Sequence, residues 1–411
     1  MNISIVVQRY GENINGGAEL HARLLANKLS KKHTITVLTT KAINCDHWKN
    51  EIEKDKETID GIEVLRFKSE LKKHAKFRKV RRRVLKKTKF QKIVKKIGLY
   101  ETLDSKGMFK TTAEDFKKWL KYQGPYCSSL IEYIKKNKDK YDIFLFFTYL
   151  YYPTNVGLPL VAEKSLLIPT AHDEEAFYIK GYNTLFENSR FIMYNSTSEK
   201  MLVESTYPNS KKIKNEIAGV GIDNFEVQKK TLSVPYEYII YIGRIDKAKN
   251  ADELIDWFTK YNKKLTTKMK LVLVGSNISK LKGNEHVIFT GFISEEEKYN
   301  WLNTAKALVI PSLHESLSMV TLEAMKQGIP VIANANCKVL NEHIKQSKAG
   351  KSYFNYNEFR NIMDDLNSLS KNERKQMAEN GKAYVNKYYQ WSGILEKFET
   401  AFKTIITKQI K

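Results

Sequence analysis

ALVIPSLHESLSMVTLEAMKQGIPVIA, residues 307–333, is the stretch whose reading decides the fold. Ala307–Pro311 is a short apolar run that stops at proline, and Pro330–Ala333 is a second one. Between them a polar loop leads into an amphipathic segment that ends at Gly328. An apolar run, a loop, a helical period and another apolar run mark two parallel strands joined by a helix.

Working outward, the same order repeats. Tyr238–Gly243, Lys270–Gly275 and Val287–Gly291 are β-rich runs ending at glycine, separated by amphipathic segments such as Ala251–Asn262 and Glu295–Thr304. Nearer the start, Asn2–Gln8, Thr34–Thr40, Ile62–Phe67, Asp142–Thr148, Ser165–Pro169 and Arg190–Asn195 read as strands. Gly16–Gly17 opens a helix with Leu20, Leu24, Leu25 and Leu29 at helical spacing. Strands alternating with helices over short connections predict parallel sheets covered on both faces. The class is therefore α/β, with two Rossmann-like domains. The first is placed at residues 1–222 with a basic helical insertion at about 70–138, the second at 223–387, and a helix-like tail at 388–411.

Composition sets the outer limits. A chain of 411 residues is long for one domain, and 42% hydrophobic residues suffice for sizeable cores. Three scattered cysteines, Cys45, Cys127 and Cys337, argue against a disulfide framework and for a reducing compartment. None stands in a run of Cys and His residues that could supply the four ligands of a zinc site. The start, MNISIVVQRYG, reads as a strand rather than a signal peptide. Ile143–Ala162 is uncharged and long enough to span a bilayer, but Pro153, Gly157 and Pro159 interrupt it. It is read as a buried strand followed by a loop, and the location as cytoplasmic.

The formal charge of +24 is unevenly spread. Between Lys68 and Lys96 lie eleven lysines, four arginines and one glutamate, a surplus of 14 positive charges. Phe77, Val80, Val84, Phe90, Ile93, Val94 and Ile97 recur there at helical spacings. Two readings stay open: an ordinary helix whose apolar stripe packs on the domain, or a cationic amphipathic helix lying on an anionic membrane. Nucleic acid is not expected, because no recognition motif accompanies the charge.

In open parallel sheets, ligands bind beyond the carboxyl ends of the strands. Four loops there carry informative residues. Gly16–Gly17 lets backbone amides approach a phosphate at a helix start, or simply makes a tight turn. In Gly243–Asn250, Arg244 and Lys249 suit a diphosphate, one as a planar fork of donors and the other as a compact charge; a solvated basic loop is the alternative. Glu315 and Glu323 are separated by seven residues. Eight helical steps span ~12 Å, whereas glycosidase carboxylates sit ~5 to 9.5 Å apart. That spacing suits two carboxylates gripping different hydroxyl-bearing parts of one long ligand, with the helix start at Leu317–Met319 receiving its phosphates. Ordinary surface glutamates are the alternative. In the fourth loop, Pro169–Asp173, His172 is either functional or satisfied by Asp173.

GRIDKAKN (243–250), KLVLVG (270–275), HVIFTGFISEEE (286–297), the E-x7-E segment and IPVIA (329–333), in this order, resemble the donor-binding half of family 4 retaining glycosyltransferases. The resemblance is strong over residues 237–340 and looser before them. It implies the GT-B fold, two Rossmann-like domains with parallel sheets facing across a cleft, the tail helix crossing back onto the first domain. It implies that Arg244 and Lys249 bind the donor diphosphate, Glu323 the ribose hydroxyls and Glu315 the donor sugar near its C3 and C4 hydroxyls. Leu317, Ser318 and Met319 would offer backbone N–H groups, and the loop of Gly291 and Phe292 would lie beside the base. Gly16, Gly17 and Gly275 join the donor-binding set, and His172 would face the transferred sugar. The catalytic set is thus His172, Glu315, Arg244 and Lys249. Many members carry glycine where this chain has Ser318; serine keeps the N–H but narrows the approach.

The implied function is retaining hexosyl transfer from a UDP- or GDP-sugar to a glycan or lipid-linked acceptor, in surface polysaccharide or glycoconjugate synthesis. No cofactor is implied, and no metal, since the sequence has no Asp-x-Asp motif. The protein would be cytoplasmic or peripheral on the inner face of the cell membrane. A nucleotide-sugar epimerase of the same fold and a non-catalytic sugar-nucleotide or nucleic-acid binding protein remain the alternatives.

Overall fold

The structure, a computed structural model, describes residues 1–12, 14, 16–71, 75–85, 97–99, 102, 112–225, 232–263 and 269–407. The chain forms two compact units, Met1–Ala218 with Leu395–Lys411, and Gly219–Ile394.

The first unit is built on eight strands: β1 (Asn2–Val6), β2 (Thr34–Thr40), β3 (Lys56–Ile59), β4 (Ile62–Phe67), β5 (Ile143–Phe147), β6 (Ser165–Ile168), β7 (Phe191–Tyr194) and β8 (Lys214–Ile217). Their order is β3-β4-β2-β1-β5-β6-β7-β8. All pairings are parallel except the β3–β4 hairpin. The central strand β5, sequence IFLFF, is buried along its whole length, as a strand covered by helices on both faces must be. The edge strands β3 (KETI) and β8 (KNEI) are only half-covered, which is why their sequences carry no apolar run.

After β5 the chain departs from expectation. The predicted loop is helical: Tyr152–Gly157 is α and Leu158–Lys164 is 3-10. Pro153 sits in the first turn, where its missing N–H costs nothing, and the Thr154 hydroxyl donates to the Phe147 carbonyl at 2.9 Å. No helix among the described residues is long and apolar enough to cross a membrane.

Part of the basic segment is the helix Ala75–Leu85. Its Phe77, Val80, Val84 and Leu85 pack against the core, and the Phe77 ring lies 5.5 Å from that of Trp119. Arg78, Lys79, Arg81 and Arg82 face outward. The apolar stripe is therefore occupied by the protein itself, leaving a cationic outer face. Phe90, Ile93 and Val94 lie outside the described residues. At the other end of the chain, the helix Trp391–Thr407 buries Phe398, Phe402 and Ile405. From Leu395 onward it belongs to the first unit, where Glu399 meets His33 Nε2 at 2.8 Å.

The second unit has six strands: β9 (Tyr238–Ile242), β10 (Lys270–Val274), β11 (Val287–Gly291), β12 (Leu308–Ile310), β13 (Val331–Asn334) and β14 (Gly350–Tyr353). Every pairing is parallel, in the order β11-β10-β9-β12-β13-β14. The third-second-first-fourth-fifth-sixth order is that of a doubly wound dinucleotide-type sheet. Its connections reverse direction between β9 and β12, so the loops leaving those two strands diverge and leave a crevice at their carboxyl ends.

Candidate active site

The loop after β9 is organised by one buried carboxylate. Asp246 accepts the Lys249 backbone N–H at 2.8 Å, capping a short 3-10 turn, and takes an ion pair from the Arg244 guanidinium. Arg244 and Lys249 thus leave the same turn, Arg244 half exposed. The turn is locked behind by Tyr241, whose hydroxyl donates to the Arg244 carbonyl at 2.7 Å. Gly275, at the end of β10, has φ 134°, and a β-carbon there would stand 2.0 Å from the Gly243 carbonyl oxygen. Its glycine is required for the two strand ends to close together.

The loop after β12 brings the opposite charge. Glu315 Oε1 lies 2.6 Å from Lys249 Nζ, linking the two loops that flank the strand reversal. The helix Met319–Gln327 begins only four residues later, so Glu315 precedes it and the ~12 Å helical spacing to Glu323 does not apply. Ser318 caps this helix in the left-handed conformation, φ 64°. The Leu317 carbonyl accepts from His343 Nε2 at 2.7 Å.

Glu323, one turn into the helix, belongs to a second pair. Lys298 Nζ contacts it at 3.0 Å and Glu295 at 2.6 Å. Burial pulls the Lys298 ammonium down, but the two carboxylates outweigh it and hold its pKa above the ordinary value. Glu323 therefore sits opposite a firmly held positive charge. Phe292, in the loop after β11, is 65% exposed.

The first unit carries its own polar cluster at the end of β1. Glu19 accepts from Gln8 Nε2 and Arg9 Nε, both at 2.8 Å. A β-carbon on Gly16 would lie 2.0 Å from Glu19 Oε2, whereas one on Gly17 would meet nothing. Gly16 thus makes room for Glu19, and only Gly17 is open to an approaching group. His172, after β6, faces Glu174 at 3.6 Å, while Asp173 accepts from the Tyr178 hydroxyl; Asp173 is not the partner expected for His172. The turn is held by buried Glu199, which accepts the Ala171 and Asn195 N–H groups. Burial raises the Glu199 pKa to about 8, the two N–H donors opposing it.

Residues 223–384 match the family model of glycosyl transferases group 1. This segment is a group 1 glycosyltransferase domain. The whole chain is similar in fold to sucrose-phosphate synthase from Thermosynechococcus elongatus, with a TM-score of 0.72 at 16% identity, covering 99% of each chain. It is similar also to Anabaena HepE, a structure in complex with UDP and glucose, with a TM-score of 0.64 at 14% identity over 98% of this chain and all of that one. These likenesses carry the GT-B fold. Among curated proteins, an uncharacterized 41.2 kDa protein in the cps region of Klebsiella pneumoniae is 25% identical over 185 residues, 44% of this chain and 48% of that protein. The match thus spans about half the length of that relative.

Within the glycosyltransferase domain, the structure joins Arg244 and Lys249 through Asp246, pairs Lys249 with Glu315, and places Ser318 and Met319 where the Glu315 loop enters its helix. Glu323 stands apart with Lys298, and Gly275 supports the Gly243 turn from behind. Gly16, Gly17 and His172 belong to the first unit. Sequence reasoning missed Asp246, Lys298, His343 and Glu199. Asp246 stands inside the quoted motif; each of the other three has a partner far away in the chain, Glu323 for Lys298, Leu317 for His343 and Ala171 for Glu199.

Proposed function

We propose that this chain transfers a hexose from a UDP- or GDP-sugar, with retention of configuration, to a glycan or lipid-linked acceptor in surface polysaccharide or glycoconjugate synthesis. The observation that carries the reading is the Lys249–Glu315 pair at the strand reversal, 2.6 Å long, beside the amino end of the helix Met319–Gln327. Cations, a helix start and a carboxylate together suit a ligand with an anionic middle and a hydroxylated end. HepE, similar in fold, is a complex with UDP and glucose, which makes a UDP-sugar the first donor to try.

In the proposed roles, Arg244 and Lys249 hold the diphosphate, Glu315 the sugar hydroxyls, Glu323 the ribose and the Phe292 loop the base. The amides of Leu317, Ser318 and Met319 add donors for the phosphates. The bond from sugar C1 to the phosphate oxygen breaks, the bond from C1 to the acceptor oxygen forms on the same face, and the acceptor proton passes to the leaving phosphate. The protein's task is then to stabilise charge growing on that phosphate by fixed positive groups. Those groups make a metal unnecessary in this reading; activity abolished by a chelator and restored by manganese would contradict it. The outward cations of Ala75–Leu85 favour docking on an anionic membrane surface.

The test is transfer itself. Purified protein, a donor sugar and candidate acceptors should give a product whose anomeric configuration, read by NMR, matches that of the donor. An inverted product, or donor epimerised without an acceptor, would overturn the proposal.

A further inference from the structure

His343 lies in the helix Lys338–Ser347, is 1% exposed, and touches neither loop side chain proposed to bind ligand. Its Nε2 meets the Leu317 carbonyl at 2.7 Å and its Nδ1 meets the Tyr384 hydroxyl at 3.0 Å. A carbonyl oxygen has no proton to give, so Nε2 carries the hydrogen and donates. Burial keeps the imidazole neutral by lowering its pKa, so Nδ1 is bare and faces the Tyr384 hydroxyl, whose single proton is shared with Gln346 Oε1 at 3.2 Å. The tautomer is thus fixed by the Leu317 carbonyl.

The consequence falls on the next residue. In a planar trans peptide the C=O and the N–H of one unit point in opposite directions. With the Leu317 carbonyl drawn inward to His343, the Ser318 N–H points away from it. Ser318 is also in the left-handed region at φ 64°, a conformation a non-glycine residue keeps only where its surroundings impose it. Its hydroxyl is occupied with Thr321 Oγ1 at 2.9 Å, and no acceptor among the described residues takes its N–H.

We propose that His343, backed by Tyr384, is a positioning residue that aims the Ser318 amide at the anionic group of the donor, and so lets this serine serve where a bare backbone turn would. The inference rests on the donor-site reading above and goes beyond it by naming the residues that set the amide.

The test compares wild type with His343→Gln, His343→Leu and Tyr384→Phe in the full chain, by calorimetric binding of UDP, GDP and inorganic pyrophosphate, with melting temperature recorded for each. Glutamine can still offer an N–H to the Leu317 carbonyl; leucine cannot. Loss of one hydrogen bond to a charged group corresponds to ~10- to 100-fold in affinity. The His343→Leu variant is expected to weaken pyrophosphate and the preferred nucleotide in that range. The His343→Gln variant should stay within a few-fold of wild type, with Tyr384→Phe between the two. Equal affinity in all four proteins, or equal losses in His343→Gln and His343→Leu, would overturn the positioning role while leaving the donor site standing. Should the wild type bind none of the three probes, the donor-site reading fails and this inference with it.

Discussion

Lys249 and Glu315, proposed to hold different parts of one ligand, are each other's partners across the strand reversal, 2.6 Å apart. The pair keeps a partly buried ammonium and carboxylate satisfied until a ligand arrives. A diphosphate must then compete with Glu315 for Lys249, while a sugar hydroxyl can compensate Glu315 for what it loses.

That competition separates binding from turnover. Glu315→Gln removes the rival anion, so UDP or GDP without a sugar should bind a few-fold tighter, whereas Lys249→Ala should weaken both. Removing a fixed group that stabilises developing charge costs ~10²- to 10³-fold in turnover. Lys249→Ala should fall in that range, while Glu315→Gln should lose turnover through its weakened hold on the sugar hydroxyls. Calorimetry beside a transfer assay checks the pair, and weaker nucleotide binding in Glu315→Gln would speak against the competition.

Gly275 offers a stability test. Alanine there would place its β-carbon 2.0 Å from the Gly243 carbonyl oxygen and hold φ 134° against its preference. Backbone strain of this kind costs ~1–3 kcal/mol. With roughly 2–4 °C per kcal/mol for a domain of this size, Gly275→Ala should melt several degrees lower; an unchanged melting temperature would contradict the packing described.

Glu199 predicts a pH dependence. Its carboxyl is raised in the folded protein to about 8, from an ordinary value of 4.5. A folded state that holds the proton more tightly is favoured at low pH, so this group's contribution is full below about 4.5 and is lost as pH rises through about 8. Glu199→Gln should flatten that fall. Melting curves from about pH 5 to 9 that run parallel for wild type and variant would refute it.

Much of this was legible in the sequence because the central strands are covered on both faces and therefore read as apolar runs. Tyr238–Ile242 and Lys270–Val274 are examples, and their glycine stops mark where the ligand loops begin. The edge strands Lys56–Ile59, Lys214–Ile217 and Gly350–Tyr353 were not, since half-exposed edges carry polar residues that resemble loop. Arg244, Lys249, Glu315 and Glu323 stand in local motifs. Lys298, His343 and Glu199 each work through a partner brought near only by folding, and their types alone gave no sign: a lysine after three glutamates reads as a surface helix, and a histidine beside Glu342 as a solvated one.

The most direct measurement is a thermal-shift panel of UDP-, GDP-, ADP- and CMP-sugars on wild type and Arg244→Ala. Ligand at about 100 times its dissociation constant adds ~2.7 kcal/mol, roughly 5–10 °C here. One diphosphate sugar should raise the melting temperature by that order in wild type and by far less in Arg244→Ala, while the monophosphate CMP-sugar leaves both unmoved. A shift that survives in Arg244→Ala, or no shift with any of the four, would contradict the account.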